Sequence, residues 1–303
     1  MDNESKERYN KVFHVFDYVN TVEGAILRGI PLDKRVADEL YQFNKYELDN
    51  EISRLSKQEI LVEINYIKGI LEGGKVIFAI HEGIGIVQKL IPNTVISPFS
   101  VYLIYAGGNT DARAMLDGFV LNFGNIAYSS DRIQGVLELI KSISAHETIH
   151  RVIEQLGCCK DSDEDSVDEF LNDIWEEGLA TYVQTVQYDS HHIFMNDMDF
   201  YIGIIKEWLN AEESNKKNIV KRIEERDSFK EFYANQGDLY RQNILECTEI
   251  DTKFYRMMYK ANGPLYHVGY CLWKDKIEKG EDIEKLIKGG HKQVQDWLKE
   301  YNK

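Results

Sequence analysis

The chain has 303 residues, of which 43% are hydrophobic, enough to bury a sizeable core in one compact unit of two lobes or in two small domains. Its formal charge of -15, from 51 acidic against 36 basic residues, argues against a nucleic-acid footprint and against attraction to anionic lipid. The 4 cysteines form neither a disulfide framework nor a CxxC metal knuckle, since Cys158 and Cys159 are adjacent while Cys247 and Cys271 lie far off; a reducing cytoplasm is the expected compartment.

The first residues, Met1 to Arg8, are charged rather than apolar, and no later run reaches the length of a membrane span, so neither export nor membrane anchoring is expected. From Lys6 to Leu27 the apolar residues Tyr9, Val12, Phe13, Phe16, Val19, Val22 and Ile26 recur at helical spacing, and a second helix is predicted near Asp33 to Phe43. A third runs from Asp49 to Ile70 on Ile52, Leu55, Ile60, Leu61, Ile64 and Ile67, and Gly73-Gly74 ends it. Val76 to Ile80 reads as a strand, followed by His81-Glu82, a decoy without a second histidine. β-Structure concentrates between residues 92 and 128: Thr94 to Ser97, Val101 to Ala106 and Gly118 to Phe123 are rich in β-branched and aromatic residues with Pro and Gly punctuation. Gly107 to Ala112 is a loop there. An edge strand in this region either holds an extended peptide by backbone hydrogen bonds or is a structural hairpin only.

The centre of the chain is Ser144-Ala145-His146-Glu147-Thr148-Ile149-His150-Arg151-Val152, an HExxH pattern. Residues four apart on a helix share a face, so His146 and His150 can close on one metal ion, and Glu147 can reach a water bound to it. Neutral imidazoles ligate zinc, the cation acidifies the water, and a carboxylate takes the proton as the water attacks. Ser129, Ser130 and Asp131 offer N-caps, Ile133, Leu137, Ile140, Ile143, Ile149, Ile153 and Leu156 keep helical spacing, and Gly157 stops the helix.

Zinc held by two histidines needs a further protein ligand. After an acidic linker, Asp161 to Asp165, Ser166 and Glu169 make a capping box that opens the next helix. Its stripe Phe170, Ile174, Glu177, Thr181 is apolar and its stripe Glu169, Asp173, Glu176 is polar, so Glu177 faces inward, where a carboxylate needs a cation or a partner, and Glu176 faces water.

After Asp189 the chain is predicted to be helical over Met195 to Trp208, Ile219 to Tyr233 and Thr252 to Ala261, with core aromatics; His191-His192 falls in a loop. Gly263 and Pro264 open a helix in the favoured order. Tyr266 on it shares a stripe with Tyr270, Trp273 and Ile277, while His267 aligns with Cys271, Lys274 and Glu278. A tetrahedral intermediate needs a donor facing its oxyanion: Tyr266 is the first candidate, His267 the second, and a packed tyrosine without a catalytic role the alternative. Val294, Trp297, Leu298 and Tyr301 mark an amphipathic C-terminal helix.

His146-Glu147-x-x-His150 followed by Trp175-Glu176-Glu177-Gly178-Leu179-Ala180-Thr181-Tyr182 resembles the gluzincin metallopeptidases, whose second helix carries the glutamate ligand in a Glu-Gly-x-Ala context, as in the membrane alanyl aminopeptidases. Closer are bacterial families described only as predicted zinc-dependent proteases, which add the pieces found here as Gly107-Gly108-Asn109, Gly118 to Asn122 and Tyr266-His267-Val268-Gly269-Tyr270. The resemblance spans residues 95 to 290 and implies His146, His150 and Glu177 as ligands with Glu147 as base. It departs in a longer spacer, residues 151 to 176, in lacking a Gly-Ala-Met-Glu-Asn strand, and in Thr181, where thermolysin-like members carry an Asp that orients a histidine.

The expected architecture is α+β, predominantly helical and zincin-like. An N-terminal helical scaffold takes residues 1–75, an upper lobe with a small sheet and the motif helix residues 76–157, and a helical lower lobe residues 158–303. The expected function is a Zn2+-dependent metallopeptidase acting on a peptide or protein substrate, with no nucleic-acid or membrane partner. Three other readings use the same residues: an inactive zinc-stabilised peptide-binding or interaction protein, a helical interaction protein without metal, and a zinc hydrolase of small molecules.

Overall fold

The computed structural model describes residues 13–17, 19, 56–105, 111–115, 117–127, 130, 132–158, 167–185, 193–260 and 263–301. The helix predicted near Asp33 to Phe43, the Gly107-Gly108-Asn109 segment, the acidic linker and His191-His192 lie outside these residues. The described residues are mostly helical with one small sheet, as the α+β expectation has it, and the chain divides into two compact units, residues 1–152 and 153–303.

In the first unit, β1 (Phe13–Asp17), β2 (Phe99–Ile104), β3 (Ala112–Met115) and β4 (Gly118–Asn122) form a sheet in the order β1-β2-β4-β3. β1 and β4 both run parallel to β2, with Val15 opposite Val101 and Val101 opposite Phe119, and β3 is antiparallel to β4. Every residue of β2 and β4 is buried, the pattern of strands covered on both faces, whereas β3 at the edge leaves Arg113 and Ala114 exposed. The register is pinned at Gly118: a Cβ there would run into the backbone of Ser100, whose N–H donates to Asp117 O at 2.7 Å.

The strand at Phe13–Asp17 overturns the helix expected over Lys6 to Leu27 at these residues. Pairing with β2 satisfies the backbone of a segment whose aromatic residues suit either state, and Phe13 packs on His81 with ring centroids 4.4 Å apart.

Helix α1 (Lys57–Leu71) starts at the capping box of Ser56 and Glu59 and buries Ile60, Ile64 and Ile67 as expected, with Ile70 beside them, while Leu61 is only partly buried. Gly73 and Gly74, at φ 74° and 71°, turn the chain directly into α2 (Lys75–Leu90). Val76 to Ile80 is therefore helix, not strand. The buried set Val76, Ala79, Ile80, Gly83, Ile84 and Val87 has the 3.6 period, visible only when the window extends past residue 80. Thr94 to Ser97 forms no strand either: Thr94 N–H donates to Ile91 O at 3.2 Å and the Gln88 amide donates to the carbonyls of Ile91 and Thr94, fixing a turn around Pro92. A short helix α3 (Phe123–Ile126), capped by Asn122, leads toward α4 (Ile133–Gln155), which carries the HExxH residues and ends at Gly157 with φ 67°.

The second unit is helical among its described residues: α5 (Val167–Thr185), α6 (Met198–Leu209), α7 (Glu213–Glu225), α8 (Asp227–Ala234), α9 (Asp238–Leu245), α10 (Ile250–Tyr259), α11 (Pro264–Glu278), α12 (Ile283–Gly289) and α13 (Val294–Glu300). The single helix predicted over Ile219 to Tyr233 breaks at Arg226, which adopts extended backbone angles while its guanidinium grips Asp197. The centre of this unit is the pair α5 and α11, where Trp175 and Trp273 are fully buried and the Trp273 indole donates to Trp175 O at 2.7 Å. Most of the expected core aromatics are buried here, including Tyr201, Trp208, Phe229 and Phe232, and α13 buries Val294, Trp297 and Leu298. Cys158, Cys247 and Cys271 are free thiols, and no described helix is long and apolar enough to cross a membrane.

Candidate metal centre

The motif residues occupy the stretch of α4 that is buried almost all round: Ser142 to Ala145 and Glu147 to Ile149 are buried, while His146 and His150 are partly open. Gly83 of α2 makes that burial tight. A Cβ at Gly83 would lie 2.8 Å from Ser144 Cβ and 2.9 Å from Ala145 N, so α2 touches α4 directly before the first histidine. The Thr148 hydroxyl turns back onto Ser144 O at 2.6 Å and needs no partner outside the helix.

As the helical period requires, the imidazoles of His146 and His150 are neighbours, with ring centroids 4.9 Å apart at 63°. Glu147 is buried, at 7% exposure. One turn further, Arg151 Nη1 donates to Met115 O at 3.0 Å, which ties the end of the edge strand β3 to the motif helix. Sequence reasoning missed this tie, since nothing in the spacing of residues 115 and 151 announces it.

On α5, Glu177 is partly buried, as is Glu176, so the contrast drawn from helical phase is weaker than expected. Glu176 accepts from the Asn172 amide at 3.3 Å. One ring nitrogen each of His146 and His150 and a carboxylate oxygen of Glu177 lie within 4.8 Å of one another. Two imidazoles and a carboxylate are a donor set that suits zinc. His81 and Glu82 are no part of this group.

Asp173, one turn before Glu177, stands on the stripe expected to be polar, yet it is partly buried. It accepts from the Tyr255 hydroxyl at 2.5 Å. Burial pushes its carboxyl up to about 7 despite that bond, and the carboxylates of Glu177, Glu169 and Glu176 add to the rise. Tyr255 stacks on Tyr259 with centroids 5.1 Å apart, and Tyr259 contacts Tyr266 at 6.1 Å. Burial first, and then the nearby Glu177 carboxylate, hold the hydroxyls of Tyr259 and Tyr266 protonated far above the usual tyrosine range. Helical phase put Asp173 and Glu177 on neighbouring stripes rather than one face, and the tyrosines, some eighty residues on, gave no signal.

Helix α11 opens as predicted, with Gly263 as N-cap and Pro264 next. Both of its stripes are covered in part: Trp273 is buried while Tyr266 and Tyr270 are partly open, and His267 and Cys271 are buried, at 5% and 6% exposure. Helix α11 is enclosed on several sides from Gly263 to Trp273, so a two-sided reading of its pattern fails. His267 lies against Phe194, with centroids 5.8 Å apart.

No curated protein and no solved structure matches the chain. A family model described as "Putative zinc dependent peptidase (DUF5700)" matches residues 2–303, essentially the whole length, and the chain belongs to that family.

Proposed function

We propose that the protein is a gluzincin-type zinc metallopeptidase in which His146, His150 and Glu177 hold the metal and Glu147 is the general base. The observation that carries this reading is the gathering of two imidazole nitrogens and one carboxylate oxygen within 4.8 Å. Family membership supports the zinc and the peptidase assignment. Bound there, zinc would supply a Lewis acid that lowers the pKa of a water and polarises the scissile carbonyl. Glu147 takes the proton of the attacking water and passes it to the leaving amine; its burial beside the histidines keeps that proton from bulk solvent. Tyr266 keeps its hydroxyl proton throughout the working pH range and serves as the donor to the oxyanion. β3, antiparallel at the sheet edge with Arg113 and Ala114 exposed, supplies backbone groups for an extended peptide. We place the activity in a zincin-like fold and in the cytoplasm.

The test is Glu147→Gln beside Glu177→Ala in digestion of an unbiased peptide library. Glu147→Gln keeps bound zinc and loses turnover by a factor of at least ~100, and Glu177→Ala lowers zinc content. Stoichiometric zinc in Glu177→Ala removes that ligand, and undiminished cleavage by Glu147→Gln removes the base.

A further inference from the structure

The residues that follow Glu177 and Tyr266 explain why both lie where glycines occur. Gly178 and Gly269 sit inside α5 and α11, and neither has the positive φ that calls for glycine. Each is less favourable than alanine in a helix interior, because glycine loses more backbone freedom on folding. The reason for both is contact: a Cβ on Gly178 would lie 2.5 Å from the carbonyl carbon of Gly269, and a Cβ on Gly269 would lie 2.5 Å from Gly178 Cα. The two backbones therefore touch at this crossing, immediately beside Glu177.

The crossing is pinned on one side by the Trp273 indole, which donates to Trp175 O at 2.7 Å in a fully buried setting. Trp273 lies one turn after Gly269, Tyr266 one turn before it, and Trp175 two residues before Glu177. The Tyr182 and Tyr270 rings, with centroids 6.0 Å apart, flank the other side. One short stretch of α11 thus locks the backbone of α5 on either side of Glu177 and carries Tyr266 on the same turn sequence.

We infer that this crossing presents Glu177 to the metal, and that Gly178, Gly269 and Trp273 are positioning residues for zinc; the inference rests on Glu177 being a ligand. Zinc bonds tolerate errors of only ~0.2 Å, whereas a methyl group in the crossing drives the backbones apart by far more. Glu177 recovers part of such a shift by changing rotamer, so the effect is weakened affinity rather than loss. Removing partners that orient ligands commonly weakens metal binding by about 10- to 100-fold.

The experiment is a zinc titration of the full chain against a chromophoric chelator, with visible absorption of the cobalt-substituted protein and thermal midpoints of the zinc-free protein. Trp273→Phe keeps an aromatic ring but deletes the indole N–H donor with its five-membered ring; Gly269→Ala inserts the methyl. Both are expected to weaken zinc by about tenfold or more and to alter the cobalt spectrum, while zinc-free Trp273→Phe stays folded. Zinc affinity and cobalt spectrum as in wild type for Trp273→Phe, whatever happens to its midpoint, overturn the inference, and this variant decides if Gly269→Ala does not fold. Glu177→Gln in the same titration separates the two levels. Tight zinc binding there overturns the ligand assignment and the inference with it, while weak binding there beside normal binding in Trp273→Phe overturns the positioning alone.

Discussion

Asp173 has the clearest pH signature of any single residue in the acidic face of α5. Its folded carboxyl, raised to about 7, binds its proton more tightly than in the unfolded chain, where the ordinary value is 3.8. Between these values the native state holds more protons than the unfolded one, so its contribution to stability is complete below about 4 and lost as pH rises through about 7. In zinc-free protein Asp173→Asn, which cannot ionise, is expected to flatten the fall in stability between pH 4 and 7 and to be more stable than wild type at pH 8. Denaturant midpoints at four or five pH values check this, and parallel curves for the two proteins contradict it. The HExxH residues were readable directly, because a helix at 3.6 residues per turn leaves no other place for His146 and His150 than side by side. Tyr255 and Tyr259 were not, since their closeness to Asp173 depends on how α10 packs on α5.

Among elements, the packing of α2 on α4 shows how glycines divide by role. Gly83 leaves no room for a Cβ against Lys141, Ser144 and Ala145, while Gly85, two residues on in the same helix, has no atom within 4 Å of that position. Gly83→Ala should destabilise by about 1–3 kcal/mol through overpacking and displace the helix just before His146. Gly85→Ala should stabilise by roughly 0.5–1 kcal/mol by relieving backbone entropy. Chemical denaturation of the pair measures both signs, and equal effects would show that the contact at Gly83 is relaxed in solution. The misread strand at Val76 to Ile80 belongs at this scale too: five apolar residues fit either period, and Gly73-Gly74 permits a second helix as readily as it stops the first.

At the level of the whole chain, a bound cation stabilises by mass action whatever holds it. Zinc at about 100 times its dissociation constant adds roughly 2.7 kcal/mol, which for a chain of this size corresponds to a rise of several degrees in thermal midpoint. Stripping the metal with a chelator, and restoring it, should move the midpoint down and back by that amount. A midpoint indifferent to both treatments argues against a resident metal. The surplus of acidic residues raises the local cation concentration around the protein but does not choose the site.

Local pattern therefore sufficed for the motif helix and the Glu177 helix, whose periods repeat over several turns, for the α11 start, where Gly263 and Pro264 stand in the favoured order, and for the short C-terminal helix. Tertiary packing was needed for the strand at Phe13–Asp17, which exists by pairing with β2, for the burial of His267, and for the contact of Gly178 with Gly269. Hydrophobic pattern records how much of a helix is covered, but not by which partner; the distance between two backbones is decided only when both surfaces meet.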